Sequence, residues 1–187
     1  MELTKIWYKN LFKNINIKAE KWLFFISWPS WTWKTTLLKI IAWIIKPQEW
    51  KIISDWKIWV FWQDYNLIEL DWETNIKLPI FNKNNYDKTW LDKLLKIFWA
   101  KKLLNKKIEN MSSWEKERIW LVKTFIHKPK IVLIDEAGNS LQKDFQEKIV
   151  KFLEDYSKEN IVFFISHNIN LEWEKIYDWN FKIIKAK

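Results

Sequence analysis

The chain has 187 residues, enough for one domain with a sizeable core, and a formal net charge of +9. It has no cysteine, which excludes disulfides, thiol catalysis and a cysteine-bound zinc site. No run approaches the ~18 uninterrupted apolar residues of a membrane span, and Met1-Glu2-Leu3-Thr4-Lys5 lacks the basic-then-apolar layout of a signal peptide. An intracellular home is therefore expected. The lysines are scattered, as in Lys101-Lys102 and Lys106-Lys107, and are read as a solvated surface with no nucleic-acid partner expected.

In chain order, residues 2–8 and 11–18 alternate loosely and predict an antiparallel hairpin or edge strands. Residues 22–27 predict a buried strand, and Thr35 to about Ile45 an almost wholly apolar helix. Lys51-Ile52-Ile53 and Lys57 to Phe61 are short strands. From Asn66 to Asn110 the chain turns polar and helical, with Leu91, Leu94, Leu95 and Phe98 at helical spacing. A capped helix begins near Ser112-Ser113. The strand Ile131-Val132-Leu133-Ile134 ends in Asp135-Glu136, and an amphipathic helix follows over about Gln142–Tyr156. A second buried strand, Ile161 to Ile165, ends at Ser166-His167. Strands alternating with helices predict a mainly parallel sheet with its ligand at the strand carboxyl ends.

The stretch Ser27-Trp28-Pro29-Ser30-Trp31-Thr32-Trp33-Lys34-Thr35-Thr36 lies between a strand and a helix, the layout of a phosphate-binding loop. Lys34 and Thr35 fit G-x-x-x-x-G-K-[ST], but Trp28 and Trp33 stand where glycine is required. The loop turns successive backbone N–H groups toward phosphate at a helix N-terminus. Positive φ and close backbone approach suit only glycine there, and an indole costs about 1–3 kcal/mol in strain while filling the ligand's space.

Composition offers a resolution. The chain has 17 Trp and 1 Gly, where ordinary usage gives about 13 Gly. Trp50 in Pro47–Lys51, Trp56 in Ser54–Lys57 and Trp179 in Tyr177–Asn180 also stand at turn-like places that suit glycine. We read most Trp letters as glycine in the biological protein, by a UGA codon that the source reads as glycine. The Lys, Ile and Asn richness fits an AT-rich source. The alternative is a Trp-loaded chain that breaks turn chemistry repeatedly and binds no nucleotide. Trp7 and Trp62 are undecided between the two.

A buried strand delivering Asp135 and Glu136 to a sheet edge fits a Mg²⁺-holding carboxylate beside a general base; a strand ending in an acidic turn is the plainer reading. Four further stretches bear on the choice. Val60 to Ile68 resembles the Q-loop of ATP-binding cassette (ABC) ATPases. Met111-Ser112-Ser113-Trp114-Glu115-Lys116-Glu117-Arg118 resembles their LSGGQ signature. Ala137 to Leu141 resembles their D-loop, and Ser166-His167 their switch histidine. The motifs run in family order over nearly the whole chain. Ser27–Thr36, Val60–Ile68 and Asp135–Leu141 look most like the small FtsE, LolD and MacB branch.

The resemblance implies an α/β P-loop NTPase fold. It has a mainly parallel sheet flanked by helices, an N-terminal antiparallel β portion and a short helical subdomain (about 66–127), in one nucleotide-binding domain over 1–187. It implies ATP and Mg²⁺ as cofactors. Trp28, Pro29, Ser30, Trp31, Thr32 and Trp33 form the phosphate loop. Lys34 holds the β- and γ-phosphates, Thr35 ligates Mg²⁺ and Thr36 holds the α-phosphate. Gln63 contacts Mg²⁺ and the water, Asp135 holds Mg²⁺, Glu136 is the general base and His167 contacts the γ-phosphate. Ser112, Ser113 and Trp114 (as glycine) cap the γ-phosphate of the opposite subunit. Tyr8 either stacks on adenine or is an ordinary strand aromatic.

The implied partners are a second cassette, in a homodimer or ABC heterodimer closing head to tail, and an integral membrane permease. The implied place is cytoplasmic, peripheral on the inner face of the membrane. The alternative is an FtsE-like ATPase that regulates a division or envelope partner without transport. A third reading, a soluble ABC-type ATPase acting on nucleic acid or ribosomes, usually carries two cassettes in one chain. Gln142 stands where the D-loop usually ends in Asp, a departure that bears on cross-dimer communication, and Ala137 replaces the usual proline. The helical region between Gln63 and Ser112 is short, so a near-minimal domain with a reduced docking surface is expected.

Overall fold

A computed structural model describes residues 2–9, 12–19, 21–26, 34–53, 58–61, 87–135, 143–165, 173–178 and 181–186. Two sheets carry the fold. The smaller is antiparallel, in the order β2-β1-β4, built from β1 (Glu2–Tyr8), β2 (Phe12–Lys18) and β4 (Glu49–Ile53). The larger has six strands in the order β5-β6-β7-β3-β9-β8. Its parallel part comprises β5 (Ile58–Phe61), β6 (Ile131–Asp135), β7 (Ile161–Ile165) and β3 (Trp22–Ile26). An antiparallel pair, β8 (Trp173–Asp178) and β9 (Phe181–Ala186), extends it beyond β3.

Continuous apolar runs form β6 and β7 because both sheet faces are covered. Successive residues alternate between two cores, as a pleat requires. Val132, Ile134, Val162 and Phe164 join the core of the helices α2 (Lys88–Ile97), α3 (Ser113–Phe125) and α4 (Lys143–Ser157). Ile131, Leu133, Ile161 and Phe163 face the other way, into a core with α1 (Lys34–Ile41) and with Ile6 and Ile17 of the small sheet. The Phe24 and Phe163 rings stack there at 5.0 Å.

The helix ends show how the sequence stops its elements. The apolar run predicts a helix to about Ile45, but α1 stops at Ile41 because Trp43 turns left-handed (φ 64°). Trp43 N–H donates to the Ile40 carbonyl at 3.0 Å and Ile44 N–H to the Lys39 carbonyl at 2.8 Å, a complete Schellman motif. The same closure ends α2. Trp99 has φ 50°, Trp99 N–H donates to Lys96 at 3.3 Å and Ala100 N–H to Leu95 at 2.9 Å. The turn expected around Trp50 does not include it: β4 already runs from Glu49, with Trp50 opposite a bulge in β1. The β8–β9 pair has no counterpart among the strands expected from the sequence. The turn residues Trp56 and Trp179 lie outside the described residues.

Candidate functional site

Four segments leave the larger sheet at one edge. Ile26 of β3 and Asp135 of β6 both lie in register with Ile165 at the end of β7, and Phe61 of β5 is in register with Ile134. The phosphate-loop stretch follows β3, Gln63 lies two residues past β5, Glu136 directly follows β6 and His167 lies two residues past β7. Parallel strands sharing a register thus finish in one line of carboxyl ends.

The described part of this edge contains one decisive contact. Thr35 Oγ1, in the first turn of α1, donates to Asp135 Oδ2 at 2.7 Å, joining residues 100 positions apart. Asp135 is 5% exposed and Lys34, the first residue of α1, is 1% exposed. A cation at a helix N-terminus opposes the helix dipole and is costly to bury. Lys34 and Asp135 are both buried, and Thr35, next to Lys34, ties the start of α1 to that carboxylate. Thr36, next in the turn, is half-buried.

A hydroxyl and a carboxylate side by side are hard oxygen donors and suit Mg²⁺, which takes one or two protein ligands and completes its shell with water and phosphate. Among the described residues, no three His, Cys, Asp or Glu side chains cluster.

Tyr8 ends β1, paired with Phe12. Its ring is half-buried against the α1 core, with the Lys9 ammonium 5.3 Å from its centroid. The signature-like residues begin α3. Ser112 is its N-cap, accepting from Glu115 N–H at 3.4 Å, while Ser112 N–H donates to Glu115 Oε2 at 2.8 Å. This reciprocal pair is a capping box. Its signal, Ser followed three residues later by Glu, is visible in the sequence although the pairing was not drawn from it. Lys106 Nζ reaches Glu115 Oε2 at 2.7 Å. Burial pushes the Glu115 carboxyl up, but Lys106 and the Ser112 hydrogen bonds outweigh it and hold it below its ordinary value.

Ser113 is exposed and Trp114 is 40% exposed. The Arg118 guanidinium sits 4.5 Å from the Trp114 ring and 4.7 Å from that of Phe145. Trp28, Pro29, Ser30, Trp31, Thr32, Trp33, Gln63, Glu136 and His167 lie outside the described residues.

A lysine and a threonine at the start of a helix, with the threonine hydrogen-bonded to the terminal aspartate of a buried parallel strand, fit the class of P-loop nucleotide-binding proteins. Residues 29–139 match the family model described as ABC transporter. The chain belongs to this family, as an ABC transporter ATP-binding subunit, and the family binds ATP. It is similar to the ABC transporter ATP-binding protein YclH of Bacillus subtilis, 25% identical over 96% of this chain and 90% of YclH. It is also 30% identical to the spermidine/putrescine import ATP-binding protein PotA of Fusobacterium nucleatum over 75% of this chain, though that match spans only 42% of PotA. Its fold resembles the ATP-binding cassette MJ0796, solved as a dimer bound to ADP and Pi, with TM-score 0.75 and 24% identity over 90% of this chain and 88% of that one.

Proposed function

We propose that the chain is an ATP-hydrolysing subunit that drives a separate membrane permease by closing head to tail with a second cassette. One nucleotide-binding domain spans 1–187, with a helical subdomain over about 66–127, peripheral to the inner face of the cell membrane. The motif resemblance puts it nearest the FtsE, LolD and MacB branch. The observation that carries this reading is the Thr35–Asp135 hydrogen bond, which joins the phosphate-loop and acidic-strand motifs at one sheet edge.

Lys34 holds the β- and γ-phosphates, Thr36 the α-phosphate, and Tyr8 stacks on adenine. Thr35, Asp135 and Gln63 hold Mg²⁺, which when bound neutralises developing charge on the phosphates. Glu136 accepts the proton of the attacking water, and Gln63 and His167 position that water and the γ-phosphate. Ser112, Ser113 and residue 114 approach the γ-phosphate bound by the opposite subunit.

This reading requires glycine at positions 28, 31, 33 and 114. Two Trp residues elsewhere support it: Trp43 and Trp99 both occupy the left-handed position of a complete Schellman motif. That position favours glycine and costs an L-residue about 1–2 kcal/mol.

Peptide mass spectrometry of the protein from its native source tests the glycine reading; tryptophan at those four positions would overturn it. Protein made with glycine there should bind and hydrolyse ATP, and Glu136→Gln should bind ATP without turnover. Persistent hydrolysis in Glu136→Gln would remove Glu136 from the base role. A many-span permease encoded beside this chain favours transport, and a four-span division partner favours the regulatory alternative.

A further inference from the structure

The signature-like start of α3 carries a charge that a phosphate-facing surface has to accommodate. Glu115 is 7% exposed and stands where LSGGQ ends in a neutral glutamine, three residues after Ser112. A carboxylate there adds a negative charge beside the hydroxyl assigned to a triphosphate. Like charges repel strongly where water is scarce.

That carboxylate is held by one of its oxygens. Glu115 Oε2 accepts from Lys106 Nζ at 2.7 Å, from Ser112 N–H at 2.8 Å and from the Ser112 hydroxyl at 3.1 Å. None of these contacts uses a Trp side chain. Lys106 lies outside α3, between the short 3-10 turns Lys101–Leu103 and Ile108–Asn110. Among the described residues it is the only ion-pair partner of Glu115. The neighbouring cations are engaged elsewhere. Lys107 turns to Glu109 at 3.6 Å, with both side chains well exposed. Arg118 is close enough to sense the Glu115 charge, but its guanidinium lies 4.7 Å from the Phe145 ring.

A serine hydroxyl has one proton to donate and an ionised carboxylate has none, so the proton in the 3.1 Å contact belongs to Ser112. For Ser112 to donate to a phosphate oxygen, that proton must turn away from Glu115. A buried carboxylate is then one donor short just as a triphosphate arrives, which is unfavourable on both counts. Lys106 meets both demands: its ammonium stays on Oε2 when the hydroxyl leaves, and its charge offsets the carboxylate. We infer that Lys106 is a positioning residue for the cross-subunit phosphate contact, acting through Glu115 to free the Ser112 hydroxyl and to neutralise the surface around it. The inference rests on the placement of Ser112 in the proposed function and adds to it a residue outside the signature stretch.

The test uses the full chain with glycine at 28, 31, 33 and 114. ATP-driven dimerisation is followed by light scattering at pH 8 in the Glu136→Gln form, and KM and kcat are measured with Glu136 intact. Lys106→Gln keeps a hydrogen-bond donor and removes the charge. It should raise KM and the ATP concentration for half-maximal dimerisation by about five- to tenfold at low salt. The gap should narrow as salt rises, and kcat should change less than KM. Lys106→Arg should restore the parent values. Lys107→Gln, which removes the same charge one residue on, should change them by about twofold at most. With Glu115→Gln already in place, Lys106→Gln should have no further effect. An equal loss with and without Glu115→Gln, an equal loss from Lys107→Gln, no rescue by arginine, or no loss in a chain that dimerises would overturn the inference and leave the proposed function standing. Failure of the parent chain to dimerise with ATP would overturn the proposed function, and this inference with it.

Discussion

Two helix starts in this chain are built from the same parts and closed in opposite ways. At α1, the hydroxyl of Thr35 reaches a carboxylate 100 residues away, on the end of a sheet strand. At α3, the hydroxyl of Ser112 is engaged by Glu115 three residues on, with Lys106 on the same carboxylate. The first closure exists only when β6 and α1 are in place together. The second is local, and helix capping of this kind forms wherever its four residues do. The nucleotide end is thus a product of tertiary structure, whereas the signature end is largely prepared by its own sequence.

Breaking the first closure should have the largest effect. In protein with glycine at 28, 31, 33 and 114, Lys34→Ala and Thr35→Val should each lower ATP turnover by about 10²–10³-fold, the range for removing one preorganised charge-stabilising donor. A steady-state phosphate-release assay checks this, and turnover within threefold of the parent would count against their placement.

At the second closure, capping and phosphate contact can be separated. Ser112→Ala should cost about 1 kcal/mol of stability, a fall in Tm of about 2–4 °C for a chain of this size. Ser112→Asp restores the N-cap acceptor but loses the hydroxyl donor and faces the Glu115 carboxylate, so it should recover only part of the Tm, and it should reduce turnover by placing a carboxylate where the partner's γ-phosphate would approach. Thermal melts run beside the turnover assay distinguish the two.

The helix C-termini predict smaller shifts. Trp43 is 59% exposed, so Trp43→Gly should stabilise by about 1 kcal/mol through relief of the left-handed backbone. Trp99→Gly should gain less. The Trp99 ring lies 5.2 Å from Phe145, and losing an aromatic contact offsets about 0.5–1.5 kcal/mol of the relief. Denaturant melts of both variants check the order.

The smallest expected effect concerns acid. Glu115 is held below the ordinary glutamate value of 4.5 in the folded chain. Its contribution is therefore complete above that value and is lost as pH falls below it through the lower folded-state value. Glu115→Gln should reduce stability near neutrality and flatten the acid side of the Tm-against-pH curve. A parallel loss at every pH would argue against an ionised Glu115 in the cap.

The sequence made different parts of this molecule visible to different degrees. Ile131–Ile134 and Ile161–Ile165 were legible because burial on both faces leaves unbroken apolar runs. Lys34-Thr35 and Asp135 stand out in the sequence because the phosphate and metal chemistry proposed for them would restrict residue choice at fixed places. The contact between Thr35 and Asp135 was not, since a long-range hydrogen bond leaves no local trace. The end of α1 was hidden for another reason: a helix-stopping left-handed residue is ordinarily written as glycine, and here it is written Trp43. The β8–β9 pair escaped notice because Trp173–Asp178 mixes charges with apolar residues and lacks a clear alternation.

One consequence follows from the place of β3. It is an interior strand, yet its neighbours β7 and β9 begin at residues 161 and 181. As the chain leaves the ribosome, the apolar segment Leu23-Phe24-Phe25-Ile26 waits with both hydrogen-bonding edges open until residues 161 and 181 onward have emerged. Such a segment is prone to pair with its copy on a neighbouring nascent chain, so the strand that feeds the nucleotide loop is also where crowding on a polysome would first take its toll.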